Sequence, residues 1–87
     1  MSEAALLDEI IVPIIVEYLE EDNVYKVSCP ALPGCYAWGE SLDEAMHTLP
    51  GNIRAMLEAR RSKGSAIPPQ FEHAAPQAAF ILRVMPS

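Results

Sequence analysis

Residues 28–45 constrain the local structure of this chain more than any other stretch. They read SCPALPGCYAWGESLDEA. Pro33 favours the first central position of a β-turn, and Gly34 supplies the positive φ that a type II turn needs at its second central position. We therefore predict that the chain reverses between Cys29 and Cys35, with a strand on either side of the turn.

The same stretch predicts where a helix begins. Ser41 stands at an N-cap position, and Glu44 follows three residues later, which is the spacing of a capping box. The acidic first turn also complements the positive end of a helix dipole. We predict a helix from Leu42 to about Arg61, because apolar residues recur at steps of three and four along one stripe: Leu42, Ala45, Met46, Leu49, Ile53, Met56 and Leu57.

Four strands are predicted around this helix, over residues 10–19, 24–29, 35–38 and 77–85. The first is apolar at nearly every position, which favours a strand buried on most of both faces. Pro13 has no amide hydrogen to donate to a neighbouring strand. We therefore expect that regular pairing on its amide side begins after Pro13, or that this part of the strand lies at an edge of the sheet. The order β-β-β-α-β is an α+β fold, and a right-handed crossover places the last strand beside the first. The predicted sheet is mixed, with order 3-2-1-4, one helix on one face and the other face open.

The chain is short enough to be a single domain of 87 residues. We divide it into an N-terminal lead (1–9), the βββα part (10–64), a Pro-rich linker (65–76) and the final strand (77–85). Folding of so small a domain removes only ~60 to 65% of the surface of the extended chain. Because 51% of the residues are apolar, we predict that a dimer or tetramer covers the remaining apolar surface.

The charge pattern narrows the classes of partner. A formal net charge of −6 with few basic residues lacks the electrostatic footprint of a protein that binds nucleic acid directly. A basic protein partner fits better. We expect no signal peptide, because Glu3, Asp8 and Glu9 stand where a basic and then apolar stretch would be needed. No segment approaches the ~20 apolar residues that cross a bilayer, so we expect no membrane association and a cytoplasmic location.

Few residues offer chemistry. Cys29 and Cys35 flank the turn, and buried free thiols are favoured over a disulfide or a metal site in a cytoplasmic protein. His47 and His73 do not have metal-ligand spacing. Glu17 is the only acid inside a predicted strand, so the clustered carboxylates of a two-metal nuclease are not supplied. We therefore expect no cofactor and no enzymatic activity.

The acidic residues outside the strands have two possible roles. They are a solvated surface, or they form a negative rim that faces a basic partner and steers its approach. Aromatic residues nearby add anchors of the kind that dominate interfaces, although Trp38 equally suits the core under the helix. The candidate partner-binding residues are Glu20, Glu21, Asp22, Tyr25, Tyr36, Trp38 and Glu40.

The run 28–45, together with Glu20-Glu21-Asp22-Asn23 and Tyr25, closely resembles the signature of the HicB-like antitoxins. The resemblance extends over roughly residues 10–69. It implies a truncated ribonuclease H-like fold and a small basic HicA-type toxin, an mRNA-cleaving ribonuclease that the domain binds and masks. Many members carry a further DNA-binding module, and since this chain ends at Ser87, we expect none here. The alternative is an orphan oligomeric binding module without a toxin.

Overall fold

The computed structural model describes residues 9–72 and 78–86. Its elements are β1 (Glu9–Leu19), β2 (Val24–Ser28), β3 (Tyr36–Gly39), α1 (Leu42–Lys63), a 3-10 helix (Pro69–Phe71) and β4 (Ala79–Val84). The four strands form one mixed sheet in the order β3-β2-β1-β4. The predicted α+β fold, element order and sheet order are therefore confirmed, whereas the likeness to ribonuclease H stays a prediction. The lead before residue 9, His73 and the end of the linker lie outside the described residues.

Strand β1 is shared between two pairings. Its first part, from Glu9 to Ile14, pairs with β4 in parallel, and its second part, from Ile15 to Leu19, pairs with β2 antiparallel. Pairing with β2 thus begins after Pro13. The Met85 amide donates to the Ile14 carbonyl oxygen, so the polar groups of Ile14 face β4 and those of Pro13 face away from it. The missing amide hydrogen of this proline therefore costs the sheet no ladder bond.

The core lies between one sheet face and α1. Every second residue of β1 points to the helix, and Val12 and Ile14 are completely buried there. On the opposite face, Ile11 is 56% exposed and Ile15 is 42% exposed. The expectation that β1 is buried on most of both faces is therefore wrong for the single chain, because its one helix covers only one side of the sheet.

Helix α1 packs on the sheet through four buried residues, Ala45, Leu49, Ile53 and Leu57. These belong to the apolar stripe read from the sequence, and the partly buried Leu42, Met46 and Met56 flank them. The helix continues through Pro50 to Lys63, and Gly64 caps its end with a left-handed φ of 71°. Gly64 lacks a Cβ and so adopts this conformation without strain.

The Pro-rich segment after the helix contributes to the core. Phe71, at the end of the 3-10 helix, is completely buried, and its ring packs edge-on against Phe80 of β4 at 5.8 Å between centroids. Arg61 donates a hydrogen bond to the Phe71 carbonyl oxygen at 3.4 Å. The described part of this segment therefore lies against the domain. None of the helices described, α1 and the 3-10 turn, is long and apolar enough to cross a membrane.

Candidate partner-binding site

Acidic residues from two separate loops meet at one end of the sheet. β1 ends at Leu19 where β2 begins at Val24, and the register places Gly39, the last residue of β3, beside the start of β2. The loops that follow β1 and β3 therefore leave the sheet at the same end. We call this surface the acidic end, and it consists of Glu20, Glu21, Asp22 and Glu40, all of them exposed.

The loop that carries three of these acids is held by its own hydrogen bonds. The Asp22 amide donates to the Leu19 carbonyl oxygen at 3.2 Å, and the Tyr18 hydroxyl donates to Asn23 Oδ1 at 2.7 Å. Asn23 has a φ of 54°, a left-handed conformation that asparagine tolerates better than most residues. The carboxylates of this turn therefore project from a defined loop.

An aromatic pair supports the turn from the sheet. The rings of Tyr18 and Tyr25, which are partners in the β1–β2 register, lie 4.9 Å apart between centroids. An open cleft of ≈ 430 Å³ beside them is lined by Tyr18, Leu19 and the three acids of the turn. Tyr25 is half-buried on the sheet face that packs against α1, so this candidate shapes the acidic end from beneath.

Glu40 is placed by the start of the helix. The Ser41 side chain caps α1 by accepting a hydrogen bond from the Glu44 amide at 3.1 Å. Glu44 reaches back, and its Oε1 accepts from the Glu40 amide at 2.6 Å rather than from the amide of Ser41. This reciprocal capping fixes the backbone from which the Glu40 side chain projects.

The other two aromatic candidates lie on the uncovered sheet face. Tyr36 and Trp38 are 43% and 45% exposed, and their rings meet edge-on at 5.9 Å between centroids. The alternative that Trp38 packs in the core under the helix is therefore wrong. Ala37 and Gly39, which alternate with these two residues along β3, are the ones that face α1.

The turn between β2 and β3 is a double one. The Leu32 amide donates to the Cys29 carbonyl oxygen at 3.0 Å, and the Cys35 amide donates to the Leu32 carbonyl oxygen at 2.9 Å. In the second turn Pro33 takes the first central position, and Gly34, with a φ of 88°, takes the second. These are the positions of a type II turn.

The two cysteines are free and buried next to this turn. Burial raises the pKa of the Cys29 thiol above its ordinary value. Burial, followed by the nearby Cys29, raises the pKa of the Cys35 thiol to about 11. Neither side chain is a thiolate near neutral pH, so neither is a ready nucleophile. Within residues 9–72 and 78–86, no group of three histidine, cysteine or acidic side chains is arranged to hold a metal ion.

Two basic residues make contacts that the sequence did not indicate. Lys26 lies over both exposed rings of β3, with its Nζ 4.8 Å from the Tyr36 centroid and 5.4 Å from the Trp38 centroid. Arg54 of α1 donates a hydrogen bond to the Ala78 carbonyl oxygen at 2.7 Å and stacks over Phe80. A lysine two residues before the end of a strand carries no local signal for such contacts, because they depend on the register between strands.

Comparison with known proteins identifies the class of protein that this sheet and helix define. A family model described as the HicB-like antitoxin of bacterial toxin–antitoxin systems matches residues 12–79. The match spans most of the chain and includes the turn, the capped helix and the acidic end. The protein belongs to the HicB-like antitoxin family.

Two curated proteins are similar to part of this chain. The chain is 39% identical over 49 residues to the UPF0150 protein Ta0767 of Thermoplasma acidophilum, which covers 56% of this chain and 71% of the relative. It is also 39% identical over 49 residues to a UPF0150 protein of Archaeoglobus fulgidus, covering 56% of this chain and 70% of that relative. No solved structure matches the chain.

Proposed function

We propose that this protein is an antitoxin that binds a small basic toxin of the HicA type, an mRNA-cleaving ribonuclease, and masks it with the acidic end of the sheet. Family membership supports the antitoxin role. The observation that carries the proposed surface is the convergence of Glu20, Glu21 and Asp22 with Glu40 from a second loop. Because these acids come from two separate loops, they form a charged surface and not merely a run of charged residues in one loop.

The mechanism is steric and electrostatic. An acidic patch raises the rate at which a basic partner associates, and complementary charges fix the orientation in which it docks. The turn bonded through Tyr18 and Asn23 and the capped backbone at Glu40 hold these carboxylates in place. Little conformational freedom is then lost when the partner binds. A ribonuclease whose basic RNA-binding surface is covered in this way cannot reach its substrate.

Several sequence-based predictions belong to this proposal. We infer that the protein is not an enzyme, since the family to which it belongs is not catalytic, and that it acts in the cytoplasm without binding nucleic acid itself. That it works without a DNA-binding module stays a prediction. A homo-oligomer, dimer or tetramer, is not required for masking and is a separate prediction.

The first experiment is co-expression with the basic protein encoded by the neighbouring gene, followed by co-purification and a growth assay. Toxicity of that protein alone, relieved by a stable complex with this chain, is the expected result. A neighbour that is not toxic and forms no complex would contradict the proposal and favour an orphan binding module.

Charge reversal tests the surface. The triple variant Glu20→Lys, Glu21→Lys, Asp22→Lys should fold normally and associate with the toxin at least ten-fold more slowly at low salt, because steering depends on charge. Glu21→Lys and Glu58→Lys form a matched pair of single variants. Glu58 is exposed near the far end of α1, so its reversal should change the association rate much less. Equal rates for this pair would mean that the acidic end is merely solvated.

A further inference from the structure

A continuous apolar surface lies on the sheet face opposite to α1. Ile11 of β1 and Ile81 of β4 are register partners. Ile15 of β1 is paired with Ser28 of β2, which is in turn paired with Tyr36 of β3. The exposed fractions of these isoleucines and of Tyr36 range from 42% to 56%. We call this surface the open face, and it consists of Ile11, Ile15, Lys26, Tyr36, Trp38 and Ile81. Monomeric proteins rarely leave such contiguous apolar surface in water.

One end of the open face is ordered before any partner arrives. Lys26 lies over the rings of Tyr36 and Trp38 and holds them in an edge-on pair. Ring pairs and cation–π contacts restrict the rotamers of all three side chains. Aromatic residues fixed in this way lose little entropy on docking and are typical of the residues that dominate binding energy.

Among the residues that the structure describes, the charges on the open face add up to zero. Glu9 and Glu17 of β1, Lys26 of β2 and Arg83 of β4 alternate with its apolar residues, and Glu17 is the register partner of Lys26. The whole chain carries a net charge of −6, and four of its acids, Glu20, Glu21, Asp22 and Glu40, lie at the acidic end. In a twofold contact two acidic ends would repel each other, whereas two open faces carry no net charge.

We infer that the open face is the interface of a homodimer, in which the open faces of two copies pack against each other around a twofold axis. In an isologous contact each surface meets itself, so it must be self-complementary. Two acidic and two basic side chains on one apolar face meet that condition, because each sign finds its opposite on the partner. A basic toxin is attracted instead to the acidic end, where the negative charge is concentrated.

The geometry suits sheet-on-sheet packing. Two flat apolar faces pack ≈ 10 Å apart in β-sandwiches, with side chains interdigitating between them. The dimer then has a central layer of two sheets with α1 of each copy outside. The acidic ends stay accessible at the periphery. The homodimer does not depend on toxin binding, so the failure of one proposal would leave the other standing.

Trp38 is the only tryptophan of the chain and reports directly on the interface. Its fluorescence is recorded over a dilution series of the unmodified protein, with acrylamide quenching at each concentration. The expected result is a blue-shifted, poorly quenched emission at high concentration, and a red-shifted, readily quenched emission on dilution. Emission that does not change while sedimentation shows a monomer throughout would overturn the inference.

Variants locate the interface. Ile15→Arg and Ile81→Arg add a charge at positions that are already 42% and 43% exposed, so the monomer should keep its fold as judged by circular dichroism. Sedimentation equilibrium should give twice the 9.5 kDa chain mass for the wild type and a single chain mass for both variants, with at least a ten-fold weaker association. His47→Arg adds the same charge at an exposed position of α1 and should remain dimeric.

The remaining outcomes are also decisive. A dimer that survives both isoleucine variants lies on another surface, which would overturn the inference. A Trp38 signal that responds to added toxin but not to protein concentration would assign the open face to the toxin and would also overturn it. If a variant fails to fold, the fluorescence series on the unmodified chain decides the question.

Discussion

The backbone of Gly39 lies against that of Ala45 so closely that a Cβ at position 39 would be 2.6 Å from the Ala45 backbone nitrogen. It would also be 2.9 Å from the Ser41 carbonyl oxygen. Gly39 is the last residue of β3, and Ala45 lies at the start of α1. The edge strand and the helix therefore meet through main chain, without a side chain between them. Glu40 and the capping group are placed by this contact.

Gly39→Ala should lower the free energy of unfolding by about 1–3 kcal/mol, because the groups that the methyl meets are backbone atoms and cannot rotate away. Chemical denaturation measures the change. Gly51→Ala is the matched control, since the space around Gly51 is open and it lies inside α1. There alanine should raise stability by roughly 0.5–1 kcal/mol. A stable Gly39→Ala protein would mean that β3 and α1 are farther apart.

Gly34→Ala should destabilise the protein for a different reason. No atom lies within 4 Å of a Cβ at this position, but the φ of Gly34 is 88°. An L-residue in the left-handed region costs roughly 1–2 kcal/mol. D-alanine at position 34 of a chemically synthesised chain has the opposite preference and should be tolerated. Equal melting temperatures for the L- and D-alanine chains would contradict the type II turn.

The stability of the fold should fall in alkaline solution because of Cys35. Its pKa is raised by burial from 9.0 to about 11, so the folded state holds the thiol proton more tightly than the unfolded state. The resulting contribution is complete below pH 9 and is lost as the pH rises towards 11, by about 2 kcal/mol.

Urea denaturation of the wild type and of Cys35→Ala over this pH range isolates the contribution of the Cys35 thiol. The variant should be less stable at pH 8, where it lacks the packing of the sulfur, and should lose less stability on going to pH 11. Parallel pH profiles for the two proteins would show that Cys35 is not buried in the folded state.

Arg54→Met should weaken the attachment of β4. The guanidinium group of Arg54 donates to the Ala78 carbonyl oxygen at 2.7 Å and lies 4.7 Å from the centroid of Phe80. Methionine keeps an unbranched apolar stem but removes both interactions, and a loss of about 1–2 kcal/mol is expected. Lys63→Met removes an exposed charge in the last turn of α1 and should change thermal stability by only a few tenths of a kcal/mol. Equal effects of the two changes would exclude a specific role for Arg54.

Local signals predicted most of the fold correctly. The turn at Pro33 and Gly34, the N-cap at Ser41 and the apolar stripe of α1 each depend on neighbours close in sequence. The sheet order followed from the handedness of the crossover, which is a chain-level rule rather than a property of any residue. The acids of the candidate site were likewise found from their positions in predicted loops.

The face of Trp38 and the role of Phe71 were not predictable in the same way. β3 has only four residues, so alternation divides it into two sets without showing which set faces the helix. That choice is made by Gly39, whose lack of a Cβ lets α1 approach. Phe71 lies in a segment rich in proline, where composition favours a linker, yet its ring is buried against Phe80. Contacts between residues distant in sequence decide both cases.

The divided pairing of β1 has a consequence for how the molecule folds and opens. The contacts of residues 15–19 with β2 close a short hairpin, whereas those of residues 9–14 with β4 join opposite ends of the chain. Closing the longer loop costs more entropy, so we expect the β1–β2 hairpin, β3 and α1 to assemble first and β4 to dock last. We expect the same strand to detach first in the native state. Its amide hydrogens should then exchange with solvent through this partial opening, whereas those of β2 should exchange only when the whole domain unfolds.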